Sequence, residues 1–152
     1  MKIVGFNFSK IMVEKNAPPA GGLEVKSNLS IDNIFEDKTI LLEGSPTLRF
    51  DFTFTISYEP GVGKVEIKGS IMGVEEKEGT EEILKEWKKK KFSPRYKIQV
   101  FNFILNKCNL RAIQIEDEVG LPLHVPFPQL TPKESDKDSA ESKKENSAKY
   151  TG

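Results

Sequence analysis

The strongest pattern in the chain is a strict alternation. Leu48, Phe50, Phe52, Phe54, Ile56 and Tyr58 occupy every second position, with Arg49, Asp51, Thr53, Thr55 and Ser57 between them. Side chains of a strand point alternately to its two faces, so this stretch predicts a long strand with one face buried and one wet. The turn residues Glu59-Pro-Gly-Val-Gly63 follow, and the apolar series Val65, Ile67, Ile71 resumes beyond them. Two such runs joined by a short turn predict an antiparallel hairpin. Upstream, Val4, Phe6 and Phe8 are followed by Ile11 and Val13, with a slip of phase at Ser9-Lys10. That is the signature of a strand carrying a bulge. Two prolines and two glycines in 16–22 predict a loop. Leu23, Val25, Leu29 and Ile31 predict a further strand. From Asp32 to Gly44 the pattern is irregular: an apolar pair, Ile34-Phe35, then a short strand at 39–42, then a break at Gly44-Ser-Pro46.

After Gly73 the period changes from two to that of a helix. Thr80 is the expected cap of a short helix, with Glu81 and Glu82 in its first turn, where the helix dipole favours anions. Ile83, Leu84 and Trp87 form its apolar face, and Lys88 to Lys91 lie at its C-terminal end. Pro94 is expected to end this helix and start the next, with Ser93 as the cap. Ile98, Phe101, Ile104, Leu105, Cys108, Ala112 and Ile115 then recur at helical spacing, and Gly120 closes a long amphipathic helix. Leu121 to Leu130 is apolar but holds three prolines, which forbid a helix and disfavour a central strand. The expected fold class is therefore α+β: an antiparallel sheet of about four strands with a short and a long C-terminal helix.

From Thr131 the composition falls to Ser, Lys, Glu, Asp and Ala, with five lysines against five acids. The expected organisation is one domain over 1–130 and a disordered charged tail over 131–152. The whole chain of 152 residues carries 23 basic and 23 acidic side chains, a balance that argues against a dedicated nucleic-acid binder. With one cysteine, no signal-peptide pattern at the N-terminus and no membrane-length apolar run, a cytoplasmic protein without membrane insertion is expected.

Candidate chemistry is sparse. Gly61-Val-Gly-Lys64 lacks the earlier glycine of a phosphate loop, since position 58 is Tyr, and Val65 stands where Ser or Thr is required. His124 is the only histidine, and it has no carboxylate partner unless folding brings one. Cys108 lies on the apolar face of the long helix and reads as a buried, inert thiol. The paired carboxylates Glu75-Glu76, Glu81-Glu82 and Glu116-Asp117-Glu118 sit in polar runs and read as solvated. No enzyme, metal or cofactor is expected. A second reading comes from the basic run: Lys88, Lys89, Lys90 and Lys91 beside Trp87 fit an RNA- or ribosome-associated protein, with lysines on phosphates and the ring on a base.

Three segments carry a resemblance to a known family. Phe8-Ser-Lys-Ile-Met-Val-Glu-Lys-Asn-Ala-Pro-Pro19, Ile67-Lys-Gly-Ser-Ile-Met-Gly-Val-Glu75 and Pro126-Phe-Pro-Gln-Leu130 resemble, in order and spacing, segments of the SecB export chaperones. The resemblance spans roughly residues 4 to 130. It implies a four-stranded sheet with two helices, a homo-oligomer (a tetramer), and a holdase role in which unfolded or non-native polypeptides are bound in apolar grooves, as in protein export. The implied groove liners are Ile34, Phe35, Trp87, Leu121, Leu123, Val125 and Phe127. Two departures stand out. The family's aromatic-Pro-Tyr-Ala-Arg-Glu opening of the main helix is replaced by Ser93-Pro-Arg-Tyr-Lys97. The tail is neutral where bacterial SecB is acidic, so delivery to a SecA-type motor does not follow from the resemblance.

Overall fold

The computed structural model describes residues 1–19 and 21–130, and the expected charged tail lies outside the described residues. Four strands, β1 (Lys2–Lys15), β2 (Glu24–Leu42), β3 (Ser45–Glu59) and β4 (Gly63–Val74), precede two helices, α1 (Lys77–Lys88) and α2 (Pro94–Val119). The strands form one antiparallel sheet in the order β1-β4-β3-β2. Strands β2, β3 and β4 follow one another by tight turns, so β1 reaches its place beside β4 through the Pro-rich connection to β2, a Greek-key arrangement. The backbone N–H of Asn16, at the start of that connection, donates to Val62 O at 2.8 Å and ties it to the β3–β4 turn.

The alternation at 48–58 sets the inner face. Leu48, Phe50, Phe52, Phe54, Ile56 and Tyr58 are all buried, while the residues between them are half-exposed on the open face. On β4 the inner residues Val65, Ile67 and Ile71 pair with Ile56, Phe54 and Phe50. Gly69 sits opposite Phe52, and the Phe52 ring occupies the space where a Cβ on Gly69 would stand.

The bulge expected at Ser9 is present as a register shift between Phe8 and Lys10, and a second shift lies between Ile3 and Gly5. Strand β2 differs from expectation. It runs unbroken from Glu24 to Leu42, because irregularities between Ile31 and Asn33 and between Asp37 and Leu41 absorb the breaks in pattern while pairing with β3 continues.

Helix α1 begins four residues earlier than expected: its N-cap is Glu76 and not Thr80, Glu78 lies in the first turn, and Thr80 N–H already donates to Glu76 O. It ends at Lys88, before Pro94 can act. Ser93 does cap α2 by position, but its hydroxyl makes no capping hydrogen bond, and Gly120 ends α2 in the left-handed conformation, φ 72°. The buried line of α2 is Tyr96, Val100, Ile104, Cys108, Ala112, Ile115 and Glu116, so Ile98, expected on the apolar face, instead points away from the sheet. At about 1.5 Å per residue the helix is long enough to cross the whole sheet. Gln99 Nε2 donates to Met1 O near one end, and Glu116 meets Tyr58 near the other.

Candidate functional site

Helix α2 lies over β1 and β4 and α1 lies against β2, and Val25, Leu29 and Ile31 on the inner face of β2 are only half-buried. The direction in which α2 turns its flanks follows from Phe103, whose ring lies 5.7 Å from that of Phe6 on β1. Phe101 and Leu105 are two residues away on either side, about 200° around the helix, and so occupy the flank toward β2. Both are half-buried, as are Val25, Leu29 and Ile31 on β2, whose partners on β3 are Tyr58, Phe54 and Phe52. The result is an apolar strip with Leu29 and Ile31 as floor and Phe101 and Leu105 as wall. None of these four was singled out as a liner by sequence. The signal was present in the width of the α2 pattern, since Phe101, Ile104 and Leu105 cover more of the helix surface than one buried line needs.

The residues singled out from sequence do not form one surface. Ile34 and Leu121 are buried in the core. Phe35 is on the opposite face of the sheet, with the Arg49 guanidinium 5.6 Å from its ring centre. Trp87 is half-buried on α1 and packs against the core. Val125 is half-buried, while Leu123 and Phe127 are exposed, Phe127 at 56%. Of the basic run, Lys88 to Lys91 are all exposed.

The Pro-rich segment 121–130 forms a strap held at its start. Leu121 N–H donates to Glu116 O at 2.9 Å, and the Leu121 side chain rests against Gly63. Glu116, expected to be solvated, is instead fully buried, because folding brings it three donors. Its Oε2 accepts from Tyr58 Oη and from the backbone N–H of His124, each at 2.6 Å, and its Oε1 accepts from His124 Nδ1. His124 Nε2 lies 2.8 Å from Asn109 Oδ1, and the imidazole is 3% exposed. Burial and the adjoining carboxylate push the Tyr58 hydroxyl far above its ordinary pKa. A Tyr-Glu-His set of this kind has the parts of a proton relay, but it is sealed from solvent, so what it does here is fasten the strap to α2 and β3. Beyond His124 the strap makes no side-chain hydrogen bond among the described residues, and Leu130 is exposed.

Burial pushes the Cys108 thiol up to about 12. A cleft of about 420 Å³ lies between the β2–β3 turn and α1, lined by Glu36, Pro46, Glu75, Thr80, Glu81 and Leu84. Three carboxylates, Glu36, Glu75 and Glu81, line it beside Pro46 and Leu84. Among the described residues no group of three or more His, Cys, Asp or Glu side chains is placed to hold a metal ion, and no helix is long and apolar enough to cross a membrane.

The architecture matches a solved structure, the SecB-like chaperone Rv1957 of Mycobacterium tuberculosis in complex with a ChAD peptide from the Rv1956 HigA1 antitoxin. The match has a TM-score of 0.55 and covers 86% of this chain and 91% of that chain, at 10% sequence identity. The fold is SecB-like. No family model and no curated protein matches the sequence. At this identity the likeness establishes the fold, and the SecB-like core is thus the frame that holds the α2–β2 strip and the strap.

Proposed function

We propose that the chain is a non-catalytic holdase-type chaperone that binds unfolded or non-native polypeptide without nucleotide. The observation that carries this reading is the half-exposed strip of Leu29, Ile31, Phe101 and Leu105, which runs beside β2, an end strand of the sheet. A client segment added as a strand to β2 would pair its backbone there and lay alternate side chains beside Leu29 and Ile31. Apolar contact of this kind recognises area and not sequence, which suits a protein that must take many clients. Leu123, Val125 and Phe127 of the strap extend the same apolar surface chemistry. The SecB-like neighbour, solved with a bound peptide, supports the reading.

The assembly we infer is a homo-oligomer, a tetramer by resemblance. Ile98 and Leu110 on α2 are 63% and 67% exposed, apolar surface that contact between copies would cover. We place the protein in the cytoplasm and assign it no SecA-type partner.

The chain has one tryptophan, Trp87, on the helix that lies against β2, which gives a spectroscopic probe. Titration with a reduced, permanently unfolded polypeptide is expected to shift its emission to shorter wavelength in a saturable way, with a micromolar Kd and no effect of added ATP. An unchanged spectrum together with no heat of binding in calorimetry would remove the reading.

A further inference from the structure

The end of α1 is built in a way its own stability does not call for. Lys91 N–H donates to Glu86 O at 3.0 Å and Lys90 N–H donates to Trp87 O at 2.8 Å. These are the two bonds of a Schellman ending, in which the residue between cap and exit adopts the left-handed conformation and is usually glycine. Here that residue is Lys90, at φ 56°. An L-residue with a long side chain carries a backbone cost there that glycine avoids. The lysine is therefore held against a local preference.

Its charge is not used inside the chain. Lys85, Lys88, Lys89, Lys90 and Lys91 are all exposed, and none makes an ion pair among the described residues. The helix dipole accounts for Lys85 and Lys88, which lie in the last turn, but not for three further lysines beyond it. The one acid within this stretch, Glu86, has its Oε2 buried without a hydrogen-bond partner among the described residues. By contrast, Arg95 and Lys97, a little further on, are engaged over the rings of Tyr96 and Phe101.

We propose that this five-lysine tip is a docking site for single-stranded RNA, gripped by its phosphate backbone. Two features select this partner, and a third sets its specificity. The tip presents five ammonium point charges, and a run of backbone phosphates supplies the matching row of negative charge. A flexible single strand can follow a small convex tip, which a stiff duplex cannot. The neighbouring rings are spent elsewhere: Phe92 packs on Phe50 with centroids 5.9 Å apart, Tyr96 is buried, and Trp87 packs against the core. No stacking platform is left, so binding is independent of base sequence. This site is separate from the polypeptide strip and does not depend on that reading.

The test is fluorescence anisotropy of a labelled 20-nucleotide oligouridylate and a mixed-sequence RNA of equal length, across a salt series, with the full chain. The two RNAs are expected to bind alike, with log affinity falling against log salt at a slope of about −3, since each lysine–phosphate contact on a single strand contributes about −0.7. Changing Lys88 to Lys91 together to Gln should lower affinity at least about tenfold at low salt and take away most of that slope. Lys90→Gly separates charge from folding: it should raise the thermal midpoint by relieving the backbone, yet weaken RNA binding severalfold. An unchanged affinity in the fourfold variant overturns the proposal. So does binding of a poly-glutamate of equal charge as tightly as RNA, which would assign the tip to acidic polypeptides.

Discussion

Replacing Glu116 by Ala is expected to lower the stability of the chain by about 3–5 kcal/mol, the usual result when one member of a buried polar set is removed and its partners are left behind. The substitution strands three donors at once: Tyr58 Oη, the backbone N–H of His124 and His124 Nδ1. None of them reaches water, because Glu116 and Tyr58 are fully buried and the imidazole nearly so. In a chain of this size the loss corresponds to a fall of roughly 10 °C or more in Tm. Glu116→Gln keeps the volume and one acceptor, so its loss should be smaller. The distinctive readout is local. With its fastening gone, the strap 121–130 should become susceptible to protease and its amides should lose exchange protection ahead of the sheet. A Glu116→Ala variant that loses less than about 1 kcal/mol in urea denaturation, with the strap still protected, would show that the network does not hold the strap.

The second large effect concerns binding. Leu29→Thr combined with Leu105→Gln places polar groups on the floor and the wall of the strip while respecting strand and helix propensity. Burying one leucine side chain contributes about 1.5–3 kcal/mol, and 1.4 kcal/mol is tenfold in affinity. The double variant is therefore expected to bind an unfolded client about a hundredfold more weakly, with its circular dichroism unchanged. Both residues are half-exposed in the native chain, so the cost in stability should be small beside the cost in binding. An affinity within twofold of the parent would place the client elsewhere.

How much of this was legible in the sequence depends on the range of the forces involved. The β3 alternation, the turn after Glu59 and the slip at Ser9 are local patterns, and each gives its element directly. The continuity of β2 is different. Asp32 and the stretch from Lys38 to Ile40 break the period and have no partner on β3, and pairing resumed on either side of them keeps the strand in register with a long, regular β3. The start of α1 was obscured because Thr80 looks like an N-cap, yet its backbone bond to Glu76 O places it inside the first turns. Glu116 offered no local clue. It belongs to an acidic triplet that reads as solvent-facing, and its burial is set by Tyr58, far away in sequence, and by a strap that returns over the helix end. The strip was half-legible: its residues were assigned to strands and helices, but that α2 lies over β1 and β4 while Val25, Leu29 and Ile31 on β2 stay half-buried is a matter of packing, which no spacing in the sequence encodes.

The most direct test of the central claim is the aggregation of a chemically unfolded client diluted into buffer, followed by light scattering in the absence of nucleotide. Full suppression is predicted at a few-fold molar excess of the parent chain, and suppression should be lost with Leu29→Thr/Leu105→Gln. Scattering that rises equally with and without the parent chain would contradict a polypeptide-holding role.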